Sequence, residues 1–242
     1  MSATETILLI LMAAAGAFAA WVLRNKTKID FLQILLSFTG AYLLAITVTH
    51  LVPEVFAHNN SSNTAYFILA GFFMQLLIVQ FTRGIEHGHL HLHEAGSGGY
   101  VAGVVFGLTL HAFLEGVPLS GSDIGHDHAE HVYYAILIHK LPEAFSLATV
   151  LFFSLKKHSH AAIILLLFTL VTPAGAWAGH YLSERSAGHS INWLLAIVCG
   201  TFIHISTTII FESSGKAHHI SLYKFLAILL GTGLSLIGLL GT

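Results

Sequence analysis

The sequence predicts an all-α polytopic membrane protein, and three observations carry that prediction. Only 10 basic and 12 acidic residues occur among 242, or 9% charged, where a soluble globular domain carries about 25%. Apolar residues make up 55% of the chain and fall in long blocks without period-two alternation, as bilayer-spanning helices of about 20 residues require. The blocks number eight, and eight such spans use roughly two thirds of the chain, leaving no room for a separate soluble domain. Disorder, a basic nucleic-acid-binding surface and an ordinary cytosolic enzyme are excluded by the same composition. The net charge of −2 gives no sign of a nucleic-acid partner.

The expected segments are 6–23, 31–52, 66–82, 99–120, 131–154, 161–181, 191–211 and 222–240, within a single transmembrane domain 1–242. Segment one carries a cleavage-like Ala17-Phe18-Ala19, but its head, MSATET, holds an acid and no base. A signal peptide has a basic n-region, so the segment is expected as a retained helix entering from outside. RNKTK separates it from segment two, which ends in His50-Leu51-Val52-Pro53-Glu54 before AHNNSSN. Segment three leads into a His-rich loop over 83–98, with His87, His89, His91 and His93 alternating. Segment four carries His111, Glu115 and Pro118. Segment five is the least regular, because His139, Lys140, Pro142 and Glu143 interrupt its apolar run. Segment six is bracketed by KKHSH and SERSAGHS and carries His180 near one end. Segment seven holds His204 and the single cysteine, Cys199, so no intrachain disulfide can form. Segment eight follows ESSGKAHH.

Basic residues set the expected orientation, because loops rich in Lys and Arg stay cytoplasmic. With both termini outside, Arg24, Lys26, Lys28, Arg83, Lys156, Lys157, Lys216 and Lys224 fall on the cytoplasmic side and only Arg185 outside. Losing one span would scatter these residues across both sides. The His-rich loop is then cytoplasmic, and a second cluster, His126, Asp127, His128, Glu130 and His131, is external.

Ionisable groups inside a bilayer are costly and mark functional interiors. His111/Glu115 and His139/Glu143 are both i,i+4 pairs, each on one helical face with Cβ atoms about 6 Å apart. Two such helices face to face would gather two imidazoles and two carboxylates, an N/O set suited to a divalent first-row metal. Pro142 removes the donor to the Ile138 carbonyl, and Pro118 is expected to free that of Leu114. The alternative is that the polar pairs only bond helices together or handle protons. Lys140 lies roughly 100° around the helix from His139. It either neutralises the two carboxylates or snorkels toward a polar vestibule. His50, Glu54, His180 and His204 are candidates for a path or gate, against simple interhelical hydrogen bonding. Alternating histidines at 87, 89, 91 and 93 suit weak metal collection, against a solvated linker.

The ordered motifs resemble those of the ZIP (Zrt/Irt-like protein) family of metal transporters. HLVPE at 50–54 is similar to the family's second-segment motif. His111-Ala112-Phe113-Leu114-Glu115-Gly116 resembles His-Asn-x-x-Asp/Glu-Gly, and His139-Lys140-Leu141-Pro142-Glu143 resembles His-Glu-x-Pro-x-Glu. Cys199 to His204, with Glu212 beyond, is like the family's Gly-Thr-Phe segment. The resemblance implies a primary metal site on His111, Glu115, His139 and Glu143. A second, bridged site would need ligands at positions held here by Ala112 and Lys140, and an acid near Thr172, so one metal is expected. It also implies zinc uptake toward the cytoplasm by an elevator-like or rocking movement of segments one, four, five and six, and a homodimer.

Imidazole and carboxylate without thiolate suit Zn²⁺, Fe²⁺, Mn²⁺ or Co²⁺ better than Cu⁺. The expected cargo is Zn²⁺, with Fe²⁺, Mn²⁺, Co²⁺ and Cd²⁺ as further candidates and no organic cofactor. The expected setting is a lipid bilayer, of bacterial inner-membrane character. A cation would enter past His50 and the 126–131 cluster and leave toward the 87–94 loop. The rivals are an intramembrane zinc hydrolase, although no HExxH is present, and an exporter of the same architecture.

Overall fold

A computed structural model describes residues 1–23, 29–58, 63–87, 97–120, 126–185, 192–212 and 220–240. These are helical almost throughout, and no strand occurs among them. Segment one is α1 (Ala3–Leu23). Segment two is α2 (Ile29–Ile46), a π-helical turn (Thr47–Leu51) and α3 (Val52–His58). Segment three is α4 (Asn63–Thr82), followed by a 3-10 turn (Ile85–His87). Segment four is α5 (Gly98–Gly116) with a 3-10 turn (Val117–Ser120), and segment five is α6 (His126–Ser154). Segment six divides into α7 (His158–Thr169) and α8 (Val171–Arg185); α9 (Asn192–Glu212) and α10 (Leu222–Leu240) complete the chain. Among the described residues, the first seven segments are long and apolar enough to cross a membrane. The eighth is the 19-residue apolar α10. Of the residues behind the expected orientation, Arg24, Lys26, Lys28 and Lys216 lie outside the described set.

Each break in a segment has a local cause. Pro53 has no N–H and its ring crowds the preceding turn. The backbone answers by widening, and the Val52 N–H reaches the Thr47 carbonyl five residues back. Thr47 and Thr49 hydroxyls donate at 2.7 Å to the carbonyls of Leu43 and Ala45. Single π turns of this kind often sit at functional positions, and this one holds His50. In segment six, Pro173 cannot bond the Thr169 carbonyl. The Leu170 N–H instead turns back to Leu167 and Phe168, ending α7. Pro118 corrects the sequence expectation. The Leu114 carbonyl is not freed, because the Val117 N–H takes it as α5 tightens into its 3-10 turn. α6 continues through Pro142.

The helices pack as two groups. In one, α10 lies on α2, α2 on α9 and α9 on α4. In the other, α1 packs on α6 and α7, α6 on α7, and α5 on α8. The groups meet where α4 touches α5 and where α2 touches α6. One apolar core runs through Leu36, Leu43, Ile46, Phe202 and Ile205, and a second through Val104, Leu108, Leu147 and Leu151.

Without a hydrophobic drive between helices in lipid, small residues let backbones approach and dispersion hold them. A Cβ at Gly16 would lie 2.3 Å from the Leu141 carbonyl oxygen of α6, and one at Gly200 only 1.9 Å from that of Ile68 on α4. At Gly231 it would meet the Phe38 carbonyl oxygen at 2.3 Å. The small-residue runs at Ala13–Gly16 and around Gly231 therefore serve packing within this chain. Large apolar side chains such as Phe18, Leu77, Phe106 and Phe211 face outward, as expected where the solvent is hydrocarbon.

Candidate metal centre

The i,i+4 spacing on α5 stacks His111 over Glu115, and both are about 1% exposed. The packing of α5 against α6 turns that face toward His139, Lys140 and Glu143, none more than 2% exposed. His111 Nε2 lies 2.8 Å from Glu115 Oε1, and His139 Nε2 lies 3.6 Å from the same oxygen. The two imidazoles stand nearly perpendicular, with centroids 6.0 Å apart. One donor atom each from His111, Glu115 and His139 falls within 4.8 Å of the others, the arrangement a single small cation needs.

Lys140 occupies the other side of Glu115. Its Nζ is 2.6 Å from Glu115 Oε2 and donates to Glu143 Oε2. The lysine thus bridges the two carboxylates and does not snorkel. Its Nζ also lies 5.9 Å from the centroid of the Phe168 ring on α7. Glu143 stands beside the compact three-residue group, with one oxygen held by the ammonium and Oε1 without a hydrogen-bond partner.

Buried polar atoms are nearly always hydrogen-bonded. Here both ring nitrogens of His139 make none, and the approach of His111 Nε2 to Glu115 Oε1 lacks hydrogen-bond geometry. Such atoms would be costly in a low-dielectric interior without a ligand. Imidazole and carboxylate are the donors that Zn²⁺ and its first-row neighbours accept, with distances near 2.0–2.2 Å for zinc.

α8 braces this site from behind. Thr172 Oγ1 donates to the Ala112 carbonyl at 3.1 Å. A Cβ at Gly116 would meet the Thr172 carbonyl oxygen at 2.1 Å, and one at Gly175 the Phe113 oxygen at 2.0 Å. The helix bearing His111 and Glu115 is therefore held backbone to backbone against α8.

The remaining sequence candidates are dispersed. His50 is buried in the π turn, with Nδ1 2.8 Å from Thr49 Oγ1. Glu54 is half-buried on α3 and outside the three-residue donor group. His204 is buried and packs edge-on against Phe72, centroids 4.7 Å apart. His180 is exposed and lies 3.3 Å from Glu184, away from the centre. His87 is buried, its Nδ1 3.5 Å from Glu212 Oε2 at the end of α9. His89, His91 and His93 lie outside the described residues, as do the side chains of His126, Asp127, His128 and His131.

Sequence reasoning passed over Glu86. The chain leaves α4 through Arg83 and Gly84, both left-handed at φ 53° and 75°. That folds Glu86 back under Thr82, whose hydroxyl donates to it at 2.8 Å. Burial raises the Glu86 carboxyl above its ordinary value, more than the Thr82 hydrogen bond lowers it. A Thr four residues before an acid was the available signal. Gln75 and Ser146 were also missed, and both are fully buried with polar side-chain atoms lacking partners.

A family model described as the ZIP zinc transporter matches residues 86–238, which includes every donor of the centre. Well over half of the chain is covered, and the chain belongs to the ZIP family of zinc transporters.

Proposed function

We propose that the protein carries Zn²⁺ inward across a cell membrane through a single His/Glu site between α5 and α6. Family membership establishes divalent metal transport and sets aside an intramembrane hydrolase. The observation that carries the finer reading is the convergence of His111, Glu115 and His139 donor atoms within 4.8 Å, deep in the bundle. Glu143, one turn from His139, is the fourth ligand, presented through its unpartnered Oε1.

In this reading a hydrated cation reaches the centre from the His50 side and trades water for imidazole and carboxylate. Binding must repay dehydration without becoming irreversible. His87 and Glu212 lie at the opposite, cytoplasmic end, toward the His-rich loop. Lys140 balances the charge of Glu115 and Glu143 where a second cation would otherwise be needed. The mutual packing of α1, α5, α6, α7 and α8 supports their moving as one body against α2, α4, α9 and α10.

Radioactive-zinc flux into proteoliposomes tests the proposal. Wild-type protein should load the vesicles, and Glu143→Ala protein, present at equal density, should not. Flux at the wild-type rate through the variant would overturn the site assignment. Metal retention by wild-type protein without flux would overturn zinc transport. Competition by Fe²⁺, Mn²⁺, Co²⁺ and Cd²⁺ in the same vesicles fixes selectivity.

A further inference from the structure

We propose that the groove between α5 and α7 is a binding site for one anionic phospholipid, whose acyl chain lies along α5 and whose phosphate rests on Lys156, Lys157 and the amino end of α7. The site stands apart from the metal centre, and nothing in it depends on which metal crosses the membrane or in which direction.

The groove exists because two helices leave a gap. α5 packs on α4, α6 and α8, and α7 on α1, α6 and α8, so the end of α6 forms the floor between them. The opening measures about 650 Å³, within the range of about 300–1,000 Å³ typical of sites for small ligands. Val101, Val105 and Thr109 make one wall, at the i,i+4 spacing of a single helical face, and Ile164 of α7 supplies the other. Ser154 and Leu155 close the floor, where the Ser154 hydroxyl already donates to the Val150 carbonyl at 2.6 Å. The rim residues Ala102 and Phe106 are exposed, and a Cβ added to Gly98 would meet nothing within 4 Å.

Length and charge identify the occupant. From Gly98 to Thr109 the groove follows α5 for about 16 Å, close to the roughly 15 Å of hydrocarbon in one leaflet. It is as long as a chain reaching from a headgroup to the bilayer midplane. At the end formed by Ser154 and Leu155 the chain continues into exposed Lys156, Lys157, His158 and His160. No Asp or Glu occurs between Glu143 and Glu184 to offset them. Lys157 is the N-cap of the 12-residue α7, with extended backbone and no side-chain cap hydrogen bond, so it does not satisfy the first N–H groups of that helix. Two ammonium groups and a helix N-terminus beside an apolar groove match a phosphate joined to an acyl chain. A zwitterionic headgroup would bring its own cation against the lysines. The positive-inside expectation puts these lysines at the cytoplasmic leaflet, where anionic lipid gives the surface its negative potential. Thr109, at the inner end of the groove, is two residues from His111, so the bound chain would pack on the helix carrying His111 and Glu115.

Native mass spectrometry tests this on protein released from nanodiscs holding equal phosphatidylglycerol and phosphatidylcholine. Wild-type protein should retain one phosphatidylglycerol per chain in preference to phosphatidylcholine. Lys156→Gln with Lys157→Gln should lower that preference by roughly fivefold for each lysine, the pull of one basic residue toward an anionic surface. Ala102→Trp, which fills the groove from its rim, should lose both lipids. Leu77→Trp, on an exposed face of α4, should keep wild-type binding. The lysine variant changes only exposed residues and remains decisive if Ala102→Trp protein is not recovered. No retained lipid, or equal retention of the two lipids by wild-type protein, would overturn the proposal. Unchanged preference in the lysine variant or unchanged occupancy in Ala102→Trp would do the same. If Ala102→Trp instead separates a dimer into monomers at unchanged lipid content, the groove is a seam between copies and the lipid site is refuted.

Discussion

Gly175 holds no metal, yet its substitution should reach the metal centre. A Cβ there would lie 2.0 Å from the Phe113 carbonyl oxygen, where ordinary contact begins at 3.4 Å. Gly175→Ala must therefore open the α5–α8 seam by about 1.4 Å, and overpacking of that kind costs about 1–3 kcal/mol. The obstructing atom is backbone, so no rotamer change relieves it. Phe113 lies on the turn that joins His111 to Glu115, and metal–ligand distances tolerate only about 0.2 Å. Disturbing the support of a ligand typically costs about 10–100-fold in metal affinity. Gly175→Ala should lower the melting temperature in detergent and weaken Co²⁺ binding by that factor. Gly233→Ala is the control, because a Cβ there meets nothing within 4 Å. Unchanged melting and affinity would refute the reasoning. Lowered melting with unchanged affinity would show that α8 alone yields and that the clamp does not position the donors.

Three further outcomes follow from other positions. His180→Ala should leave zinc uptake at the wild-type rate, because the imidazole is exposed and pairs only locally with Glu184; an uptake loss would place His180 on the path. Thr172→Val removes the hydroxyl bond to the Ala112 carbonyl while keeping shape, and thermal melts should register about 0.5–1.5 kcal/mol of destabilisation. Glu86 gives the pH dependence. Its folded-state carboxyl is raised above the ordinary 4.5 by burial, so its contribution is full below 4.5 and is lost as pH rises through the raised value. Relative to Glu86→Gln, wild-type protein should lose melting temperature over that interval, and parallel curves would contradict the burial argument.

The segments and the clustering of the His/Glu pairs were legible because both follow from spacing. Long apolar blocks need only hydropathy, and His111/Glu115 and His139/Glu143 need only helical periodicity. The bridging position of Lys140 was one of two readings, and the three-dimensional packing of α5 on α6 selects it. What escaped depends on contacts distant in sequence or on competition for single hydrogen bonds. Pro118 removes a donor as expected, but the neighbouring Val117 N–H supplies a replacement. Pro173 breaks segment six, yet a proline near the middle of an apolar run does not reveal whether the helix bends or restarts. His180 and His204 look alike in sequence as membrane histidines. One faces outward, and the other lies under Phe72. Glu86 read as loop because its burial depends on a left-handed turn at Arg83 and Gly84.

The glycine contacts also distribute stiffness. The six approaches that would bring a Cβ within 2.3 Å of a main-chain oxygen, at Gly16, Gly71, Gly116, Gly175, Gly200 and Gly231, all join helices of the same group. Between the groups, along α4 and α5, a Cβ at Gly107 would first meet the Thr82 methyl, and one at Gly103 would lie 3.0 Å from the Phe81 carbonyl oxygen. Main chain against main chain has no rotamers through which to yield, whereas side chains re-pack. Under shear the four helix pairs so joined, α1 with α6, α5 with α8, α4 with α9 and α2 with α10, keep their alignment, and the seam between α4 and α5 is a compliant one.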